Sequence, residues 1–170
     1  MKKRSSQKIL AIDPGTKNMG VAFFEGRELV YFGVKTIKRL KSPPEILKEG
    51  KRVILRIISD FKPDILVVEK TQFLNNKRSK LLNKFTSVIQ SIGRRKGLAV
   101  HSFASNTVRK GICGNGNASK DEVAKVVLSG YQELRPYLTS DKKWKEIFHR
   151  NMFDAVALGL YVHKITETKI

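Results

Sequence analysis

Apolar positions along the chain follow two rhythms. Residues 8–13, "KILAID", form a short apolar run broken at once by Pro14 and Gly15, which cannot continue a regular strand. Residues 20–25 and 28–37 are two further strand-like runs, separated by a turn at Gly26-Arg27, so a strand meander is expected at the N-terminal end. The rhythm then changes. "SPPE" at 42–45 is a helix-start signal, and Leu47, Ile54, Ile58 and Phe61 recur behind it at helical spacing until Pro63. "DILVVE" at 64–69 is a continuous apolar run, as expected of a strand covered on both faces.

A second helix is predicted over 76–96, with Leu81, Phe85, Val88, Ile89 and Ile92 on one stripe. A strand over 98–103 and a glycine- and asparagine-rich loop, "GICGNGNAS" at 111–119, come next. A helix from about 120 carries Val123, Val126, Val127 and Leu134. Residues 136–150 read as irregular, and the last helix is expected to start near Asn151. The order of elements predicts a mixed α/β fold in one domain over 1–170, with 1–7 a basic and flexible N-terminus.

Charge changes this picture more than composition does. Lys and Arg number 34 against 15 Asp and Glu, a net charge of +19. A basic surface serving solubility is the simpler account, but an excess this large points to a polyanionic partner. The basic residues are spread along the whole chain with no single amphipathic basic helix, which favours a folded nucleic-acid-binding surface over a membrane anchor. No run of apolar residues is long enough to span a bilayer. One cysteine, Cys113, excludes a disulfide within the chain and a cysteine-rich zinc site, and a reducing cytoplasm is the expected setting.

Three carboxylates stand at the edges of apolar segments: Asp13, Glu69 and Asp154. Taken singly, each has a structural explanation. Asp13 reads as a turn-forming residue, Glu69 as a strand-end acid paired with a lysine such as Lys70, and Asp154 as an acid at a helix N-terminus. Taken together they suggest a cation site, because parallel strand ends lie side by side and a packed helix can deliver the third acid. Mg²⁺ takes a few carboxylates together with water and phosphate oxygens. Two such ions about 4 Å apart activate water and stabilise the leaving oxygen in phosphodiester cleavage.

Four stretches, "AIDPGTKNMGVAFFE", "ILVVEKTQF", "GNGNASKDEVAKVV" and "NMFDAVALGLYVH", occur in this order. In them the chain resembles the RuvC family of Holliday junction resolvases, within the ribonuclease H-like nuclease superfamily. The resemblance covers about residues 8–163 and is most specific at the glycine-asparagine loop with Ala118-Ser119-Lys120.

The resemblance implies a ribonuclease H-like fold, a five-stranded mixed sheet flanked by helices, assembled as a homodimer. It implies an endonuclease that resolves four-way DNA junctions by paired nicks, leaving 5′-phosphate and 3′-hydroxyl ends, with Mg²⁺ or Mn²⁺ as cofactor, two ions per site. Asp13, Glu69 and Asp154 match the family's acidic ligands. Asn151 falls where the family carries a further acid or histidine, and is a candidate ligand that is neutral and cannot act as a base. Lys120 matches an active-site lysine and Arg109 the position of a second. Phe73 matches an aromatic placed at the junction crossover, and Lys77, Arg78, Lys80 and Lys84 would extend a DNA-binding face from it. A branch-migration motor is left open as a further partner, and a bacterial or phage origin fits the family. Another ribonuclease H-like nuclease, for instance one that processes RNA, and a non-catalytic junction-binding protein are the alternatives.

Overall fold

The computed structural model describes residues 6–37, 42–71, 76–138 and 143–167. Five strands, β1 (Lys8–Asp13), β2 (Asn18–Glu25), β3 (Glu28–Thr36), β4 (Ile65–Lys70) and β5 (Ala99–Ala104), form one sheet in the order β3-β2-β1-β4-β5. The first three make the antiparallel meander, turning at Gly26 with φ +59°. β4 and β5 add in parallel beyond β1. Each parallel addition needs a crossover helix. α1 (Pro43–Phe61) supplies the first and α2 (Lys77–Arg95) the second.

The central strands bury both faces because alternate side chains feed two cores. Ile9, Ala11, Ala22, Phe24, Ile65 and Val67 face α3 (Ser105–Cys113), α4 (Lys120–Gly130) and α6 (Lys143–Glu167). Leu10, Ile12, Val21, Phe23, Leu66 and Val68 face α1 and α2, where they meet Ile54, Ile58, Phe85 and Ile89. α6 lies so close on the sheet that a Cβ at Gly159 would come within 2.1 Å of the Phe24 ring.

The helix signals act as expected at α1. Glu45 accepts the Ser42 backbone N–H at 3.0 Å, satisfying a donor at the helix start, and Lys62 closes the helix in the left-handed conformation (φ 48°) before Pro63. Four expectations are corrected. The segment 111–119 is not all loop: α3 runs through Cys113 and is stopped by Gly114 at φ +78°. The last helix begins at Lys143, well before Asn151, because "KWKEIFHRNMF" contains neither proline nor glycine to interrupt it. Leu134 is buried on a 3₁₀ turn (Gln132–Leu134), beyond the end of α4, and a four-residue helix, α5 (Arg135–Leu138), lies in the segment read as irregular.

Candidate active site

The register of the sheet sets the first two acids. Ile12 pairs with Val68, so Asp13 at the end of β1 and Glu69 near the end of β4 leave the sheet side by side. Pro14 and Gly15 then turn the chain away from the strand direction. Asp154 comes from α6, mid-helix and not at its N-terminus, so the dipole explanation for this residue does not apply. Its side chain is only 18% exposed and receives the Lys120 ammonium at 3.2 Å. Lys120 is the first residue of α4, fixed there by a reciprocal cap. The Ser119 N–H donates to Glu122 at 2.6 Å, and the Glu122 N–H donates to the Ser119 hydroxyl at 3.2 Å.

The acids interact through their charges. Burial pushes the Asp13 carboxyl well above its ordinary range, and Glu69 and Asp154 push it further, with Lys120 opposing. Burial likewise raises Glu69 to about 7, helped by Asp154 and opposed by Lys120 and Arg109. Stacking negative charge in a low-dielectric place is costly, and a site with this donor set is relieved by an added cation. Among the described residues no three His, Cys, Asp or Glu side chains form a ready-made metal cage, and Asp154 meets Lys120 instead.

Beside Asp13 and Glu69 opens a cleft of about 760 Å³, lined also by Thr71, Ser105, Asn106, Arg109 and Asn117. Arg109 reaches the cleft wall from α3. Asn151 lies on α6, its side-chain N–H donating to the Asn18 carbonyl at 2.8 Å. Lys77, Arg78, Lys80 and Lys84 are exposed on the first half of α2, and no acid stands in that helix's first turn. The end of β4 is tied to the same helix by a hydrogen bond from the Thr71 hydroxyl to the Asn83 side chain. Phe73 lies outside the described residues.

Sequence reasoning missed Ser105, Asn106 and Asn117 as cleft residues. The signal for the first two was available. Ser-Asn-Thr before Val108 and Ile112 reads as a helix start, and Gly114 as its stop.

A sheet of this order, with acids leaving two adjacent parallel strands and a third delivered by a packed helix, places the chain among the ribonuclease H-like folds. A family model described as "Crossover junction endodeoxyribonuclease RuvC" matches residues 9–141. The chain belongs to that family. It is 31% identical over 151 residues to the crossover junction endodeoxyribonuclease RuvC of Geotalea uraniireducens (strain Rf4), covering 85% of this chain and 88% of that one. It is 32% identical over 125 residues to the RuvC of Proteus mirabilis (strain HI4320), covering 71% of this chain and 72% of the relative. Among solved structures, "T. thermophilus RuvC in complex with Holliday junction substrate" superposes with a TM-score of 0.75 at 18% identity, over 96% of each chain.

Proposed function

We propose that the chain is a structure-selective endonuclease that resolves four-way DNA junctions by hydrolysing phosphodiesters. One observation carries the reading: Asp13 and Glu69 leave adjacent parallel strands on the wall of a cleft, and the charge of Asp154 on α6 raises both carboxyls, in a protein of net charge +19. These three residues would hold Mg²⁺ or Mn²⁺, which supplies an activated water and charge neutralisation at the leaving oxygen. The donor set suits such hard cations, being all carboxylate oxygen.

The chain's own residues account for the rest. Exposed Lys77, Arg78, Lys80 and Lys84 hold backbone phosphates and set the approach of the strand. The cleft beside Asp13 and Glu69 receives the scissile segment, with Arg109 on its wall to balance the phosphate charge. Lys120, 47% exposed at its side chain, turns from Asp154 towards a non-bridging oxygen as negative charge builds there. Water attacks phosphorus, the P–O3′ bond breaks, and the ends left are a 5′-phosphate and a 3′-hydroxyl. A four-way junction offers two equivalent strands, so a two-fold homodimer with one site per subunit matches the substrate. A lone cysteine and bacterial relatives support the bacterial cytoplasm as the place of action.

The test uses a synthetic four-way junction beside matched duplex and RNA–DNA hybrid controls. The junction alone should be cut in Mg²⁺, giving nicks that DNA ligase seals without further processing. Asp13→Asn, Glu69→Gln and Asp154→Asn should each abolish cleavage and retain junction binding, since removing negative charge does not weaken attraction to DNA. Near wild-type cutting by Asp13→Asn would refute the site. Equal cutting of plain duplex would refute selectivity for branched DNA.

A further inference from the structure

Asn151 stands three residues before Asp154 on α6, and its side chain meets the chain just after Asp13. Its side-chain N–H donates to the Asn18 carbonyl at 2.8 Å in a partly buried setting. The turn it meets is folded tightly on itself. A Cβ on Gly15 would sit 1.8 Å from that same carbonyl oxygen and 3.6 Å from Nδ2 of Asn151. The backbone of Asn151 is equally engaged. A Cβ on Gly20 would come within 1.8 Å of its carbonyl oxygen, and Gly20 is the residue paired with Asp13 across β1 and β2. Asn151 thus touches both the turn that follows Asp13 and the strand position opposite it. The far side of the turn is tied as well: Ile37 N–H donates to the Lys17 carbonyl at 2.8 Å, and the Thr36 hydroxyl to the Asn18 side chain at 3.2 Å.

We propose that Asn151 is a positioning residue, which locks the 14–18 turn, and with it Asp13, to the helix that carries Asp154, and that it does not serve as an ion ligand. The inference rests on the nuclease reading above for its link to catalysis. The chemistry requires a donor. An amide N–H can meet a backbone carbonyl, whereas a carboxylate would face it with lone pairs against lone pairs. A neutral side chain also adds no further negative charge beside three acids.

Asn151→Asp separates the two roles, because it keeps the size and an oxygen for an ion while exchanging the amide donor for a negative charge. Asn151→Ala removes both. The positioning role expects both variants to show faster amide exchange across residues 14–20 in the metal-free protein. It also expects single-turnover junction cleavage at saturating Mn²⁺ to fall about tenfold or more in both, as for the supports of a metal site. A ligand role expects the variants to diverge, with Asn151→Asp binding Mn²⁺ more tightly by calorimetry and cutting at least as fast as wild type. That result would overturn the proposal. So would unchanged exchange in both variants, or wild-type cleavage per folded molecule in both. A wild-type protein that cut no junction would sink the nuclease reading, while the exchange measurement would still decide whether the lock exists.

Discussion

Replacing Glu69 by Gln should make the metal-free protein more stable while destroying its activity. Glu69 rises from the ordinary 4.5 to about 7 in the folded chain, chiefly through burial and then through Asp154. Its folded form therefore binds a proton more readily than the unfolded form between those two values. The linkage has a definite sign: stability is full at or below about pH 4.5 and is lost as pH rises towards 7. At about 1.4 kcal/mol for each pH unit of that rise, the loss approaches about 3 kcal/mol once the group is ionised. Glutamine keeps the shape and removes the charge. In EDTA at pH 8, Glu69→Gln should melt higher than wild type by several degrees, since a chain of this size gains roughly 2–4 °C per kcal/mol. At pH 5 the gap should nearly close, because wild-type Glu69 is then mostly protonated. Adding Mg²⁺ at pH 8 should raise the wild-type melting temperature and leave the variant's much less changed. Calorimetry or circular dichroism at the two pH values, with and without Mg²⁺, gives all four numbers. A variant that melts at or below wild type in EDTA at pH 8 would refute the account of these acids as a charge-stressed cation site.

Junction affinity should fall by roughly 10³ or more between 50 and 200 mM salt if about six or more phosphates are contacted, and replacing Lys77, Arg78, Lys80 and Lys84 together by Ala should flatten the slope of log K against log salt by about 3–4. Filter binding or fluorescence anisotropy across a salt series measures both, and an unchanged slope would remove this face from the DNA contact. Gly159→Ala should cost about 1–3 kcal/mol in a denaturant melt, because its Cβ would stand 2.1 Å from the Phe24 ring in a closely packed core. An unchanged midpoint would show that α6 can lift off β2 without penalty.

Most of the fold was legible because each β-run carried its own boundary. Pro14-Gly15 ended β1, Gly26 turned the meander, and Pro63 separated α1 from β4. The two acids on strands could be read from the same feature, a carboxylate closing an apolar run. Asp154 was read as an acid at the edge of a third apolar run, but its local setting was misread. The apolar run after Asn151 looked like a helix start, yet helix formers with no breaker extend α6 back to Lys143. α3 was lost for the opposite reason: Gly111 falls inside it and reads as loop when taken with Gly114 and Gly116. Nor could sequence show that Asn151 gives its amide to Asn18, since that contact joins residues far apart in the chain and depends on how tightly Gly15 and Gly20 let the backbones approach.

Asp154 sits in the middle of a helix whose neighbouring residues, Ala155, Val156, Ala157 and Leu158, are all buried against the sheet. The backbone that carries this carboxylate has no local route to move. Shifting it means detaching α6 from β1 and β2, which is global unfolding in all but name. The site should therefore lack a soft mode of its own. On gentle heating, cleavage should persist until the whole molecule melts, and the thermal inactivation and unfolding curves should superimpose, in contrast to enzymes whose working groups ride on loops that fray first.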